Sequence, residues 1–539
     1  MDRIILTNGN LFSFKKKNRC EDTILIENGR FTQIGRANDI LSTASDETNV
    51  VNLQQAIVLP GFIDSHIHLL SYGLSLQRVD VSNTTKEECL ARVSHKASEM
   101  PEGQWIIGHG WDHNHWPKGY PTRKDLDAIS QQHPIYLTHK SLHCGWANST
   151  ALKITAIQKG RPNPAGGTIM KDESGVPNGI LLENAMKLVS DAVPVPDEKQ
   201  VTSALKTAQK KLNAFGITAV HDFDPWHIFT VLNVMRENKD LSLRVTKSIP
   251  ETSLNQAIEA GLRSGAGNDW VRVGWLKLFA DGALGSQTAA MIQPYLGSEN
   301  YGMLLLDIDD ILEYGEKALK AGIAMAVHAI GDKANQTVLD AYEALAKNDY
   351  FNRPTLPSRV EHAQLLREED IHRFAALGIT PSMQPIHAVS DMEMAEAYWG
   401  QRCETAYAWR SLLDADANLI FGSDGPVETP NPMQGIAAAI SRQKMTTQTG
   451  QLAEGTWTSH QCVSLTDALT AYCNSPSHVS GFKNITGRIN PGYCADLVLL
   501  HNDFLNSSPV EIYQTRPLAV MMDGNWVYKN DKIDLEYIK

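Results

Sequence analysis

His66 and His68 close the apolar run Leu59-Pro60-Gly61-Phe62-Ile63-Asp64-Ser65-His66-Ile67-His68. If the run is a strand, side chains alternate faces and the two imidazoles point the same way. Two neighbouring imidazoles at a strand end are half of a divalent-metal site; a simple pair of surface or core histidines is the alternative. Further donors follow in the second half of the chain. They are His328 in Ala326-Val327-His328-Ala329, His362 in Arg359-Val360-Glu361-His362-Ala363 and Asp424 in Phe421-Gly422-Ser423-Asp424-Gly425. Lys277 interrupts the apolar run Trp275-Leu276-Lys277-Leu278-Phe279, which leads into Asp281 and Gly282. Such a set suits hydrolysis: water must lose a proton before it attacks an amide carbon, and a bound divalent cation lowers its pKa to about 7. Asp424 is the candidate general base and, later, general acid toward the leaving nitrogen. Its alternative role is an N-cap for a following helix.

Each of these residues stands at or near the C-terminal end of a short apolar segment, where active sites are built on a (β/α)8 barrel. Strands are expected near 61–68, 216–222, 242–249, 273–281, 323–329, 358–362, 378–384 and 418–424. Leu312 to Ala321, Ala334 to Ala346 and Asp370 to Leu377 carry apolar residues at helical spacing. Strands alternating with helices predict an α/β chain whose residues 59–484 form a closed parallel TIM barrel.

Residues 1–58 and 485–539 read differently, as short alternating strands with turn pairs such as Asn28-Gly29 and Asp523-Gly524. They predict two halves of one β-sandwich. The stretch 75–200 is too long for a βα loop and is expected to be an inserted subdomain capping the active site. Inside it, Gly108-His109-Gly110-Trp111-Asp112-His113-Asn114-His115-Trp116 is either a wall of packed aromatics or a second metal site. His143 and Asn148 in the insertion, with Asp281, Gly282 and Ser286 after the fourth strand, are candidates for substrate contacts or for holding loops.

The motifs PGFIDSHIHL, SLHCGWANSTAL, GGTIMKDESGVPNGIL, GITAVHDF, KLFADGALGS, VHAIGD, RVEHAQ, FGSDGPV and GRINPGYCADLVLL span most of the chain. In them the chain resembles the amidohydrolase superfamily, and more narrowly amidohydrolase family 3, the group that includes N-substituted formamide deformylases. The tail departs from the usual pattern at Gly492-Tyr493-Cys494-Ala495-Asp496, where a basic residue commonly follows the glycine. The resemblance implies one or two divalent ions, most simply Zn2+. His66 and His68 are assigned to a first ion and His328 and His362 to a second, with a carbamylated Lys277 bridging the pair. A lysine at the rim or paired with Asp281 is the alternative for Lys277.

Forty-nine basic against 61 acidic residues give a net charge of −12, which argues against nucleic acid or an anionic membrane surface as partner. The seven scattered cysteines, with no CxxC, read as reduced thiols of a cytoplasmic protein, and the N-terminus lacks a signal-peptide pattern. The expected partner is a small-molecule substrate, and the candidate assembly is a homodimer. Three functions compete: hydrolysis of an amide or formamide-like C–N bond, ester or lactone hydrolysis or isomerisation on the same metal centre, and a non-catalytic scaffold. The complete donor set disfavours the third.

Overall fold

The computed structural model describes residues 3–14, 21–113, 116, 119–141, 143–446, 450–453, 455–531 and 537–538. Asn114 and His115, named above, and Cys20, one of the seven cysteines, lie outside them. The chain packs as two units, one made of Met1–Gly73 with Leu205–Lys539 and the other of Leu74–Ala204.

The first unit is organised around eight parallel strands in sequential order: β1 (Phe62–Ile67), β2 (Ile217–Asp222), β3 (Arg244–Pro250), β4 (Val271–Phe279), β5 (Met325–Ala329), β6 (Arg359–His362), β7 (Thr380–Met383) and β8 (Ile420–Phe421). The ring closes just beyond β8. Ile67 bridges Gly425 in parallel, the Asp424 amide donates to the His66 carbonyl (2.7 Å), and the His68 amide donates to the Gly425 carbonyl (2.9 Å). Gly422 makes this passage possible, since a Cβ there would lie 2.4 Å from the His66 nitrogen. Helices return the chain between strands. Ile308–Lys320 starts on a capping box of Asp307 and Asp310 and buries Ile311, Gly315, Ala318 and Leu319 on one face. Glu368–Leu377 ends at Gly378, whose φ of 65° is the left-handed conformation that stops helices.

The barrel strands bury charged residues alongside their branched aliphatics. Fully buried Arg359 on β6 reaches His221 Nδ1 on β2 (2.9 Å), the Ser65 carbonyl on β1 (2.6 Å), Ser382 Oγ on β7 (2.5 Å) and Glu361 Oε2 (2.9 Å). Lys247 on β3 pairs with Asp222 on β2 at 3.0 Å, both side chains being fully buried. Buried charges persist only when paired and hydrogen-bonded, and these are.

Both chain ends build the sandwich. One sheet orders Tyr537–Ile538, Asn49–Asn52, Arg3–Thr7, Thr23–Glu27 and Arg30–Gly35. The other orders Asn10–Leu11, Ile57–Pro60, Leu497–Leu500, Ala519–Met522 and Asn525–Lys529. Leu6, Ile24, Phe31 and Val58 from the N-terminal part pack against Leu497, Leu499 and Met521 from the C-terminal part. Each such side chain contributes about 1.5–3 kcal/mol when fully buried. Arg244 on β3 ties this sandwich to the barrel through a two-pronged contact with Asp496 (2.6 and 2.9 Å).

The second unit carries a six-stranded sheet in the order Gly167–Lys171, Pro177–Glu183, Cys144–Ala147, Ile135–His139, Ile106–Trp111 and Val79–Asp80. Its core includes Trp111, Trp116, Trp146, Ile135 and Leu137. The six described cysteines are free thiols. No helix among the described residues is long and apolar enough to cross a membrane.

Candidate metal centre

The strand ends β1, β4, β5, β6 and β8 bring the expected donors together. His66 is buried at the end of β1, and His68 follows it on the same face. Their Nε2 atoms lie 3.5 and 3.4 Å from Asp424 Oδ1. Asp424 follows β8 with φ of 60°, a left-handed backbone that aspartate and asparagine tolerate better than most residues. It caps no helix: Asn431 accepts from the Met433 amide at the start of Pro432–Ser441, which removes the structural alternative for Asp424.

The outer nitrogens of these rings are held as well. His66 Nδ1 is 2.6 Å from Glu361 Oε2. Burial would raise the Glu361 pKa, but the Arg359 charge, with the hydrogen bond from His66, overcomes it and holds the carboxyl well below its usual range. An ionised carboxylate only accepts, so Nδ1 of His66 carries the proton. Burial first, and the charge of Lys277 second, push the His66 pKa down to about 4. The neutral ring therefore presents its Nε2 lone pair toward Asp424, the state a metal ligand requires. His68 Nδ1 faces Asp224 Oδ1 at 3.6 Å. Burial opposes the charging of His68, but Asp224 and Asp424 together raise its pKa to about 9. Asp64, one turn of the pleat below His66, accepts from the Ser423 amide (3.0 Å) and hydroxyl (2.5 Å) and so fixes the β8 end against β1.

His362 stands 4.9 Å from His66 and 4.5 Å from His328, measured between ring centres. Its φ of 72° takes it out of the strand alternation of Arg359 and Glu361. His362 Nδ1 contacts Gln384 Oε1 (2.8 Å), and His328 Nε2 contacts the Gly282 carbonyl (2.9 Å). Lys277 is buried, and its Nζ lies 4.7 Å from the Phe223 ring centre and 4.8 Å from that of Phe279. It has no hydrogen-bond partner among the described residues. Burial lowers its pKa to about 8, although Glu361 and Asp424 pull the other way. It neither snorkels nor pairs with Asp281.

These residues fit a divalent cation on their own chemistry. His66, His68 and Asp424 each offer a donor atom within 4.8 Å of the others, as do His362, His387 and Asp424. The buried, unpartnered amine of Lys277 lies beside them, a costly arrangement without a ligand.

Asp281 is buried and accepts from the backbone amides of Ala290 (2.9 Å), Ile330 (3.0 Å) and Gly331 (2.9 Å), so its carboxylate clamps the loop after β4. Burial raises its pKa to about 7, against the pull of those amides. Gly282 offers its carbonyl to His328, and exposed Ser286 bonds Thr288 Oγ1 at 2.7 Å. His143 lies in the second unit, exposed and 3.0 Å from Glu183. Asn148 caps Ser149–Ile154 and donates to the His133 carbonyl (2.8 Å), a structural role.

The sequence reading did not single out Glu361, Asp224, Asp64 or His387. His387, on the helix Pro385–Trp399 after β7, is buried with Nε2 3.8 Å from Asp424 Oδ2 and Nδ1 3.4 Å from the Gln364 amide nitrogen. The available signal was proximity in sequence: Glu361 precedes a candidate ligand, and His387 follows a barrel strand.

A model described as amidohydrolase family matches residues 49–528. The chain belongs to the amidohydrolase family. Fold and family together make it a metal-dependent hydrolase. Protein LONG AFTER FAR-RED 3 of Arabidopsis thaliana is 32% identical over 97% of this chain and 91% of its own length. An N-substituted formamide deformylase of Arthrobacter pascens is 28% identical over 97% of this chain and 98% of its own. The crystal structure of an uncharacterized metal-dependent hydrolase from Pyrococcus furiosus superposes with a TM-score of 0.76 at 27% identity, covering 94% of this chain and 100% of that one.

Proposed function

We propose that this amidohydrolase cleaves a C–N bond of a small molecule, an amide or N-substituted formamide, with water as nucleophile. The observation that carries the reading is Asp424 Oδ1 within 3.5 Å of the two β1-end imidazoles, beside His328, His362 and the unpartnered amine of Lys277. His66, His68, His328 and His362 would hold one or two divalent ions, most simply Zn2+. Lys277, were its neutral amine carbamylated by CO2 with loss of a proton, would add a carboxylate to this donor set. A bound cation supplies an acidified water and polarises a carbonyl. The protein's own groups do the rest. Burial and paired outer nitrogens keep the imidazoles oriented. Asp424 takes the proton from the attacking water and returns it to the departing nitrogen, so that amide plus water gives acid plus amine. The full-length match to a formamide deformylase supports the C–N assignment.

The test is a substrate panel on metal-replete protein comparing formamides, other amides, esters and lactones. Turnover of formamides or amides ahead of the oxygen esters is expected. Preference for lactones or esters by a factor of ten or more (about 1.4 kcal/mol) would transfer the centre to the alternative chemistry. No turnover of any class would favour a scaffold.

A further inference from the structure

The unit Leu74–Ala204 holds a second cluster of donors that the barrel chemistry does not use. Asp112, His113 and His139 each bring one nitrogen or oxygen within 4.8 Å of the others. Asp112 and His113 follow the strand Ile106–Trp111, and His139 ends the parallel neighbour Ile135–His139. The pairing slips where they meet: Thr138 faces His109, but His139 faces Trp111, skipping Gly110. Gly110 has φ of 95°, and a Cβ there would lie 2.0 Å from Ser82 Oγ, so the slip depends on glycine. Irregularities of this kind re-aim side chains at strand ends.

The two imidazoles are incompletely bonded. His139 is 5% exposed, and its Nε2 has no hydrogen-bond partner among the described residues, the Asp112 Oδ1 atom being 3.6 Å away. His113 Nδ1 is likewise buried without a hydrogen bond among them. An unsatisfied buried nitrogen is destabilising, and a bound ion removes that cost. His139 Nδ1 accepts from the Ser141 amide (3.0 Å) and lies 2.8 Å from Ser141 Oγ, contacts that hold the ring with Nε2 toward Asp112. The His113 ring stacks on Tyr120 with centres 3.8 Å apart, and the His139 ring stands edge-on to Trp111 at 4.7 Å. Lys140 pairs with Asp112, but its side chain is 54% exposed, so an ion can replace it there.

We propose that Asp112, His113 and His139 form a transition-metal site with its own ligands, taking Zn2+ or a similar borderline divalent ion. Two imidazoles and one carboxylate select such ions over Mg2+ and Ca2+, which prefer all-oxygen sets. Three protein ligands leave a fourth position open to water or another ligand. Binding pins the segment after Ile106–Trp111 to the end of the neighbouring strand and stabilises the unit by mass action.

The experiment is zinc stoichiometry of the full-length chain after gel filtration, by mass spectrometry, with Co2+ absorption as a second readout. Wild type should carry one equivalent more than the His113→Ala/His139→Ala chain. A His66→Ala/His68→Ala chain should keep that equivalent, with an affinity at least about 100-fold above that of the same chain with His139→Ala added. Because each comparison is between chains sharing the same barrel residues, failure of the barrel centre does not decide it. Lys140→Ala, a surface change, should tighten zinc binding in the His66→Ala/His68→Ala background by removing a competing cation from Asp112, even if the double histidine variant fails to fold. Equal zinc content in wild type and a folded His113→Ala/His139→Ala chain, or an affinity unmoved by Lys140→Ala, would overturn the proposal.

Discussion

Asp424→Asn separates proton transfer from architecture. The backbone at Asp424 is left-handed, a region asparagine also occupies without strain, so the turn after β8 should survive. The carboxylate's contacts to His66 and His68 are long, 3.5 and 3.4 Å, and losing such hydrogen bonds should cost stability no more than about 1 kcal/mol. An amide cannot accept the proton from water. General acid–base catalysis contributes roughly 10²–10⁴-fold, so kcat should fall by that factor, about 3–5 kcal/mol in the barrier. The assay is steady-state turnover of the best substrate from the panel at saturating zinc, with metal content and melting temperature measured on the same sample. Near-normal kcat would remove Asp424 from the mechanism. A collapse of metal content with kcat would make it primarily a ligand.

Glu361→Gln should leave Arg359 buried without its anionic partner, costing about 3–5 kcal/mol in chemical denaturation, and weaken metal affinity by about 10–100-fold through a mis-set His66 tautomer; unchanged values on both counts would show that Glu361 orients nothing. Metal uptake should depend on pH through His68: metal binds the neutral ring, and the folded pKa is about 9. Apparent affinity should therefore rise about tenfold per unit of pH up to about 9, with one proton released per uptake in calorimetry in buffers of different ionisation enthalpy; a flat dependence from pH 6.5 to 9 contradicts this. His387→Ala should lower kcat by about 10–100-fold with metal content unchanged, because its Nε2 faces Asp424 Oδ2 and positions that carboxylate; loss of an equivalent of metal would make His387 a ligand instead.

The barrel strands that carry the site were legible because they are short, largely apolar runs at or just before a polar residue, a local pattern that survives in a single sequence. His66 and His68 shared a face as strand alternation requires. His362 was found for a different reason than the one that places it. Strict alternation from Arg359 and Glu361 would turn it outward, and only its positive φ returns it to the mouth. Glu361, Asp224, Asp64 and His387 stayed hidden because their importance depends on contacts across 23 to 359 positions of sequence or on a helix whose orientation no local pattern fixes. The two-residue strand Asn10–Leu11 carries no local strand pattern for a similar reason: this short edge pairs because the sandwich needs it, not because its residues prefer strand.

The central claim is that the barrel mouth is a divalent-metal hydrolytic centre, and anomalous diffraction at the zinc edge from metal-replete crystals tests it most directly. The account predicts a peak coordinated by His66 and His68, a second peak at His328 and His362, and density beyond Lys277 Nζ joining the two. Active, zinc-loaded protein with no anomalous peak among these residues would contradict it.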